Sequence, residues 1–309
     1  MLNKIKPSLV LPLQFFADTA KATFTPDNVV MQDFKEGKIP TEYATEIIQG
    51  IIKNSKMMQL AKYEEMKTQK KEFQYMTGGL GAYWVGEGKV IQTSKPTLVT
   101  ATMVAKKVAV ILVTSRENLT YSMKDFFEMM KPKIMEAFHK KFDDATFLNQ
   151  DNPFETSVDQ AATEASNAVT GAIDAANLMG LEAMVEDNGL EINAFVSNTK
   201  NNSTLRMLKG VDNTLMYDRN AKTLDGAPVV NVEGVAKGTL YAGNFDYARY
   251  GIPFGISYKI LEEAQLSSVL GEDNKPINLA ERELIALRAT MDIGFAILNK
   301  EAFAKLSQG

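Results

Sequence analysis

A chain of 309 residues is long enough for one or two domains with a sizeable core, and its 45% hydrophobic and 23% charged content is ordinary for a globular protein. A formal net charge of −4 argues against an evenly basic surface that grips nucleic acid through its phosphates. No cysteine and a single histidine, His139, exclude disulfides, thiolate metal sites, a cysteine nucleophile and a multi-histidine metal site, and no stretch is apolar for long enough to span a bilayer.

Residues 1–16, MLNKIKPSLVLPLQFF, stand apart, with Lys4, Lys6, no acid and an apolar run. The run is short and broken by Pro12, and no A-x-A-like site follows, which argues against a secretory signal. Residues 17–40 are polar and irregular and read as an arm that something else must order. Thr41–Asn54 reads as a helix capped by Thr41, with Tyr43, Ile47, Ile48, Ile51 and Ile52 on one side. Met57–Lys62 is a short apolar run that predicts a strand.

Glu64–Thr100 opens with the charged stretch MKTQKKE, then alternates at Phe73 and Tyr75. Five glycines follow (Gly78, Gly79, Gly81, Gly86 and Gly88), with the only tryptophan, Trp84, between them. So many glycines serve either a phosphate cradle or a hairpin whose backbone must bend. No G-x-x-x-x-G-K-[ST] is present. A projecting hairpin with uncovered aromatics is a liability in a monomer and a contact device in an assembly. Val90-Ile91 and Leu98–Thr102 supply its returning strand. The exposed foot at residues 67–71 is rich in lysine, and contact with a neighbour's acidic patch is a second reading of it.

Leu98–Ser115 alternates in two phases, Val99, Ala101, Met103 and Ala105 in one and Val104, Val108, Val110 and Leu112 in the other, which predicts a bulge or bend near Ala105–Lys107. Ser122–Gln150 is the longest helical signal, roughly 40 Å if unbroken. Phe127, Met130, Ile134, Ala137, Phe138, Ala145 and Leu148 approximate one face. Ser122 is the expected N-cap, Asn152-Pro153 the expected stop, and Pro132 predicts a bend or a second start.

The middle third has a different texture. Thr170–Asn188 predicts a helix carrying Ile173, Leu178, Leu181 and Val185; Asn193–Ser197 a strand; Thr199–Leu208 a short helix; and Thr223–Asn231 a turn into a strand. Ile285–Ile297 alternates cleanly, with Ile285, Leu287, Ala289, Met291, Ile293, Phe295 and Ile297 on one face. This strand is expected beside Lys107–Val113 and against the long helix, so that the ends of the chain enclose its middle.

Chemistry is sparse. His139 has no partner motif and reads as a surface residue rather than a general base. Neither G-x-S-x-G nor H-E-x-x-H occurs. Glu262-Glu263 and Glu186-Asp187 read as solvated faces or caps, and Asp273-Asn274 as a turn. No cofactor and no catalytic residue is expected.

Several strings carry a resemblance: LQFFA (Leu13–Ala17), GAYWVGEG (Gly81–Gly88) with TSK (Thr93–Lys95), EMMKPKIMEAFHKKFD, and YDRN, TLDGAPVVN, GNFD and YGIP. Together they resemble the major capsid proteins of siphovirus-type tailed phages of Firmicutes, staphylococcal phages above all, over nearly the whole chain. The resemblance implies an α+β fold of the Hong Kong 97 type. Residues 1–16 would be a cleaved leader, 17–62 the N-terminal arm and helix, and 63–104 the extended hairpin loop. Residues 105–153 and 265–309 would form a peripheral domain built on a spine helix and long antiparallel sheet, and 154–264 an inserted axial domain. The loop would contact a neighbouring subunit through Tyr83, Trp84, Val85, Glu87 and Lys89. Phe127, Met130, Pro132, Ile134 and Phe138 would mark the spine helix. Expected partners are copies of the chain in hexamers and pentamers, a separate scaffolding protein, a prohead protease and a portal. The shell would be part of the virion, assembled in the bacterial cytoplasm, and would enclose double-stranded DNA without reading its sequence. An encapsulin-type compartment around protein cargo, and an enzyme with an unrecognised site, are the alternatives.

By the same resemblance the leader is cut between Phe16 and Ala17, which removes Lys4 and Lys6 and no negative charge. Chains from mature particles should therefore begin at Ala17 by intact-mass measurement; chains beginning at Met1 would refute the cleavage.

Overall fold

The computed structural model describes residues 41–76, 83–85, 87, 90, 98–210, 213–270 and 276–308. The leader with Phe16 and Ala17, the arm, the glycines between 78 and 88, Lys89 and the side chain of Phe127 lie outside the described residues.

Helix Thr41–Asn54 (α1) and a short helix Lys56–Leu60 (α2) lead through strand Lys62–Tyr63 (β1) to a ribbon of Lys70–Met76 (β2) and Leu98–Ser115 (β3). The long helix Arg116–Leu148 (α3) follows directly. The middle third carries helices Val158–Glu164 (α4), Ala175–Glu186 (α5) and Asn202–Leu205 (α6). Its strands are Ala168–Thr170 (β4), Ala194–Ser197 (β5), Tyr217–Asp218 (β6), Thr223–Leu224 (β7), Ala227–Asn231 (β8) and Thr239–Gly243 (β9). Strands Ala248–Gly251 (β10), Ser257–Leu261 (β11), Gln265–Leu270 (β12), Pro276–Asn278 (β13), Leu284–Ile297 (β14) and Phe303–Ser307 (β15) complete the chain.

Two large sheets organise most of these elements, and β12 pairs with β13 in a separate two-stranded sheet. The first runs β1-β10-β14-β3-β2, with β11 also paired to β14; the second runs β4-β15-β9-β5-β8-β7-β6. The expected pairing of the last long strand holds: β14 and β3 are antiparallel from Leu284↔Ser115 to Gly294↔Ala105. The expected bulge near Ala105–Lys107 does not occur, since neither pairing of β3 shifts register. The two apolar phases are the two faces of one regular strand, covered in different places. Met103 and Ala105 are buried with Met66 and Ala296, while Val108, Val110 and Leu112 pack on the main core from the other face.

The long helix begins at Arg116, with Ser115 in the N-cap position, so Ser122 is an interior residue and not the cap. It runs unbroken through Pro132, with no second start. Pro132 is exposed, so the carbonyl that loses its proline partner can be solvated. The helix ends at Leu148 because Asn149 adopts a left-handed conformation, φ 58°, ahead of the expected Asn152-Pro153 stop. Ile134, Phe138 and Ala145 are buried as expected; Ala137 is exposed, and Phe142 and Phe147 are core residues instead.

Three further expectations change. Thr41 is the first turn of α1 rather than its cap. Met57–Lys62 is mostly helix, because the Ser55 side chain accepts from the Met58 N–H and starts α2. The sheets also do not divide the chain at residues 154, 264 and 265. β10 and β11 pair with β14 in the first sheet, and the C-terminal β15 pairs with β9 and β4 in the second. Phe303 on β15 explains its place, packing edge-on against Phe245 at 5.3 Å, itself against Phe147 of the long helix at 6.1 Å.

A buried carboxylate fixes α1 and α2 to the long helix. Asp143 accepts from the Ser55 hydroxyl at 2.6 Å and from the backbone N–H groups of Lys56 at 2.9 Å and Met57 at 3.1 Å. Burial pushes its carboxyl up, against the opposing pull of those three donors and of His139. Asp143→Ala would leave three donors without their acceptor and should cost about 3 kcal/mol. Asp143→Asn, which keeps an acceptor oxygen, should lose less; denaturant titration of both variants checks the order.

Candidate assembly surfaces

The ribbon grows out of the core sheet. β2 pairs with β3 from Lys70↔Val104 to Met76↔Leu98, and the Ala105 N–H donates to Gln69 O at 2.8 Å where β3 leaves the ribbon for β14. Its foot is packed by Met66, Phe73, Met103 and Ala105 against Ala296. Gly294 sits beneath them, where an added Cβ would lie 2.9 Å from the Met66 sulfur and 3.0 Å from Met103 Cγ. The Tyr75 hydroxyl also donates to the Leu298 carbonyl.

Beyond the foot the covering ends. Leu98, Tyr83, Val85 and Val90 are exposed, Trp84 completely so at 105% of its reference surface, and Glu87 is exposed. The lysine-rich foot is largely paired within the chain: Lys71 with Glu64 at 2.6 Å, and Lys70 with Glu72. Those lysines are therefore poor candidates for a neighbour's acidic patch.

The described side chains of the long helix that were expected to mark it contribute mostly support. Ile134 and Phe138 are buried, Met130 is half-buried, and Pro132 faces solvent. His139 is half-buried in a cleft of about 420 Å³ between the helix and the middle third, with Glu136, Lys140, Asp144, Asn231 and Glu233 around it. Lys140 bridges this cleft to Glu233 at 3.3 Å. Among the described residues no hydrogen bond joins His139 to the Thr199 hydroxyl that also lines the cleft, and no group of carboxylates and histidine suited to a metal occurs. No helix among them is long and apolar enough to cross a membrane.

Two features escaped the sequence reading. One is the Asp143–Ser55 clamp. The other is Glu182 on α5, whose carboxyl is pushed up to about 7, first by burial and then by the negative charges of Asp225 and Glu186. One of its oxygens is buried without a hydrogen-bond partner. Asp225 stands in the β7–β8 turn, and the φ of 84° at Gly226 is what holds that turn. Sequence spacing alone has no way to bring positions 182 and 225 together.

An α+β body that carries an uncovered aromatic ribbon suits a protein that works by association. Residues 37–307 match the phage capsid family, and the chain belongs to that family. It is 47% identical over 304 residues to the major capsid protein of Staphylococcus phage 80alpha, covering 96% of this chain and 94% of that one. The fold is similar to a solved structure from Microbacterium phage Oxtober96, with a TM-score of 0.66 and 20% identity over 82% of this chain and 91% of the other. It is also similar to the capsid of an empty GTA particle, with a TM-score of 0.60 and 15% identity over 82% and 90%. The chain is a phage major capsid protein, a member of a structural and not an enzyme family, that forms the virion shell from copies of itself. Relatives of this kind leave the protein-cargo compartment without support.

The pair Glu182 and Asp225 sets a pH dependence. Because the folded-state value of Glu182 is raised, its proton stabilises the fold below about pH 4.5, and that contribution is lost as pH rises through about 7. Glu182→Gln should flatten this window and leave the protein more stable at pH 8, by on the order of 1 kcal/mol because the carboxyl is only half-buried. Thermal melting of both proteins at pH 5 and pH 8 checks the difference.

Proposed function

We propose that the chain builds an icosahedral shell around packaged double-stranded phage DNA with the division of labour of the Hong Kong 97 type. The long helix and first sheet serve as the peripheral domain. The second sheet, which the C-terminal strand completes, serves as the axial domain at hexamer and pentamer centres. The ribbon is the extended loop laid on a neighbouring subunit, with Tyr83, Trp84, Val85, Glu87 and Lys89 as its contact residues. The leader is removed between Phe16 and Ala17 by a prohead protease. A separate scaffolding protein and a portal take part, and assembly runs in the host cytoplasm.

The observation that carries this reading is the complete exposure of Trp84 beside Tyr83 and Val85. Large aromatics dominate buried contacts, and one left in water at the end of a well-founded ribbon marks a surface that a partner covers. A net charge of −4 agrees with a wall that holds DNA without gripping it.

Replacing residues 76–92 by a short Gly-Ser turn should leave a folded, soluble subunit that cannot close a shell. Trp84→Ala should weaken assembly while moving the melting temperature by about 2 °C or less, since none of the described residues covers that ring. Circular dichroism and sedimentation on the same samples read both halves. Unfolding of the replacement variant, or shells that still close, would refute the assignment.

A further inference from the structure

The shell reading leaves open where the exposed tryptophan goes, and one depression in the molecule fits it. Between the C-terminal half of the long helix, the start of the core part of β3, and the loop after the helix lies a pocket of about 200 Å³. It is lined by Val108, Phe142, Ala145, Pro153, Phe154 and Ile293, with lysines at its rim. This is below the usual size of a small-molecule site and close to what one large aromatic side chain requires.

Its floor is rigid and aromatic. Phe142 meets Phe154 at 5.9 Å and Phe295 at 6.1 Å, and Phe154 meets Phe295 at 5.8 Å, all in edge-on or tilted geometry. Lys106 shares a face of β3 with Val108 and stands opposite Ile293 in the register. At the rim Lys141 is paired with Asp151 at 2.7 Å, while Lys106 and Lys107 are exposed and have no ion-pair partner among the described residues. An unpaired lysine, Lys106, above an apolar floor selects an aromatic side chain with a carboxylate close behind it. In this chain Trp84 is fully exposed and Glu87, also exposed, follows three residues later.

We infer that the pocket between Phe142, Phe154, Val108 and Ile293 receives Trp84 of a second copy of the chain, with that copy's Glu87 against Lys106. This assignment rests on the ribbon's proposed role as an inter-subunit contact and adds the surface on which it lands. The indole edge would extend the aromatic cluster, and the carboxylate would meet an unpaired charge rather than displace an existing pair.

The chain contains no cysteine, so an introduced pair is read without background. In assembled shells of the double variant Val85→Cys, Pro153→Cys, which keeps Trp84, a short bismaleimide should join subunits into covalent multimers, while either single variant should not. The only tryptophan supplies a second readout, because its emission should move to the blue on assembly. Lys106→Glu should lower shell yield about tenfold, and Glu87→Lys added to it should restore most of the loss. A blue shift without cross-linking or charge-swap rescue would place Trp84 on some other surface and overturn this inference while sparing the contact role of the ribbon. No blue shift at all would overturn both.

Discussion

One strand carries the architecture. β3 is a single 18-residue strand that pairs with β2 in the ribbon and then with β14 in the core, without a register shift in either pairing. At about 3.3 Å per residue it extends for roughly 60 Å, more than a small domain is wide. A backbone hydrogen-bonded along this length transmits position from one end to the other. The ribbon is therefore an extension of the core sheet, and its direction is set by the packing of Met103 and Ala105 over Gly294 rather than by a free loop. A side chain larger than glycine at 294 would press on Met66 and Met103 at the point where the ribbon is founded.

The second constraint is the join between the sheets. Phe147 of the long helix, Phe245 and Phe303 form a row of edge-on rings that belongs to both. The C-terminal strand enters the second sheet through Phe303, and Gln308 donates its N–H to Gly238 at 3.2 Å to close that edge. The middle third is thus tied to the rest at its entry from the long helix and again through the chain terminus. A body tied at two points has less freedom to hinge than one tied at a single point.

What the sequence made legible follows from physical locality. Thr41–Asn54 and Leu284–Ile297 were readable because each has a long, clean period and one dominant buried face. Met57–Lys62 was misread because a short apolar run has no period to distinguish helix from strand, and the deciding group, the Ser55 hydroxyl, acts through a cap. Ser122 was a plausible cap locally, yet the helix starts earlier because β3 feeds directly into it. The Asp143 clamp joins residues far apart in sequence, and the partner of β15 depends on an aromatic cluster that forms only in three dimensions. The exposed Trp84 was the part of the candidate contact most visible beforehand, since a lone tryptophan among glycines has no local core to enter.

The distribution of charge completes the picture of how such a chain associates. Among the described residues, lysines at the ribbon foot, on the long helix and near the C-terminus are paired with carboxylates of the same chain: Lys71 with Glu64, Lys141 with Asp151, Lys300 with Glu164 and Lys305 with Asp159. Lys141–Asp151 and Lys300–Glu164 are exposed and add little stability, the other two are half-buried, and all four leave fewer uncompensated charges for a neighbour to find at random. Electrostatics then acts chiefly by excluding wrong encounters, and attraction is left to a few apolar points. A closed shell multiplies every subunit contact many times, so each one can be weak and still yield a stable particle. Weak single contacts also release before a misplaced subunit is trapped. A contact confined to one aromatic side chain in a pocket of that size meets this requirement better than a broad apolar face, which would bind copies in many orientations and aggregate.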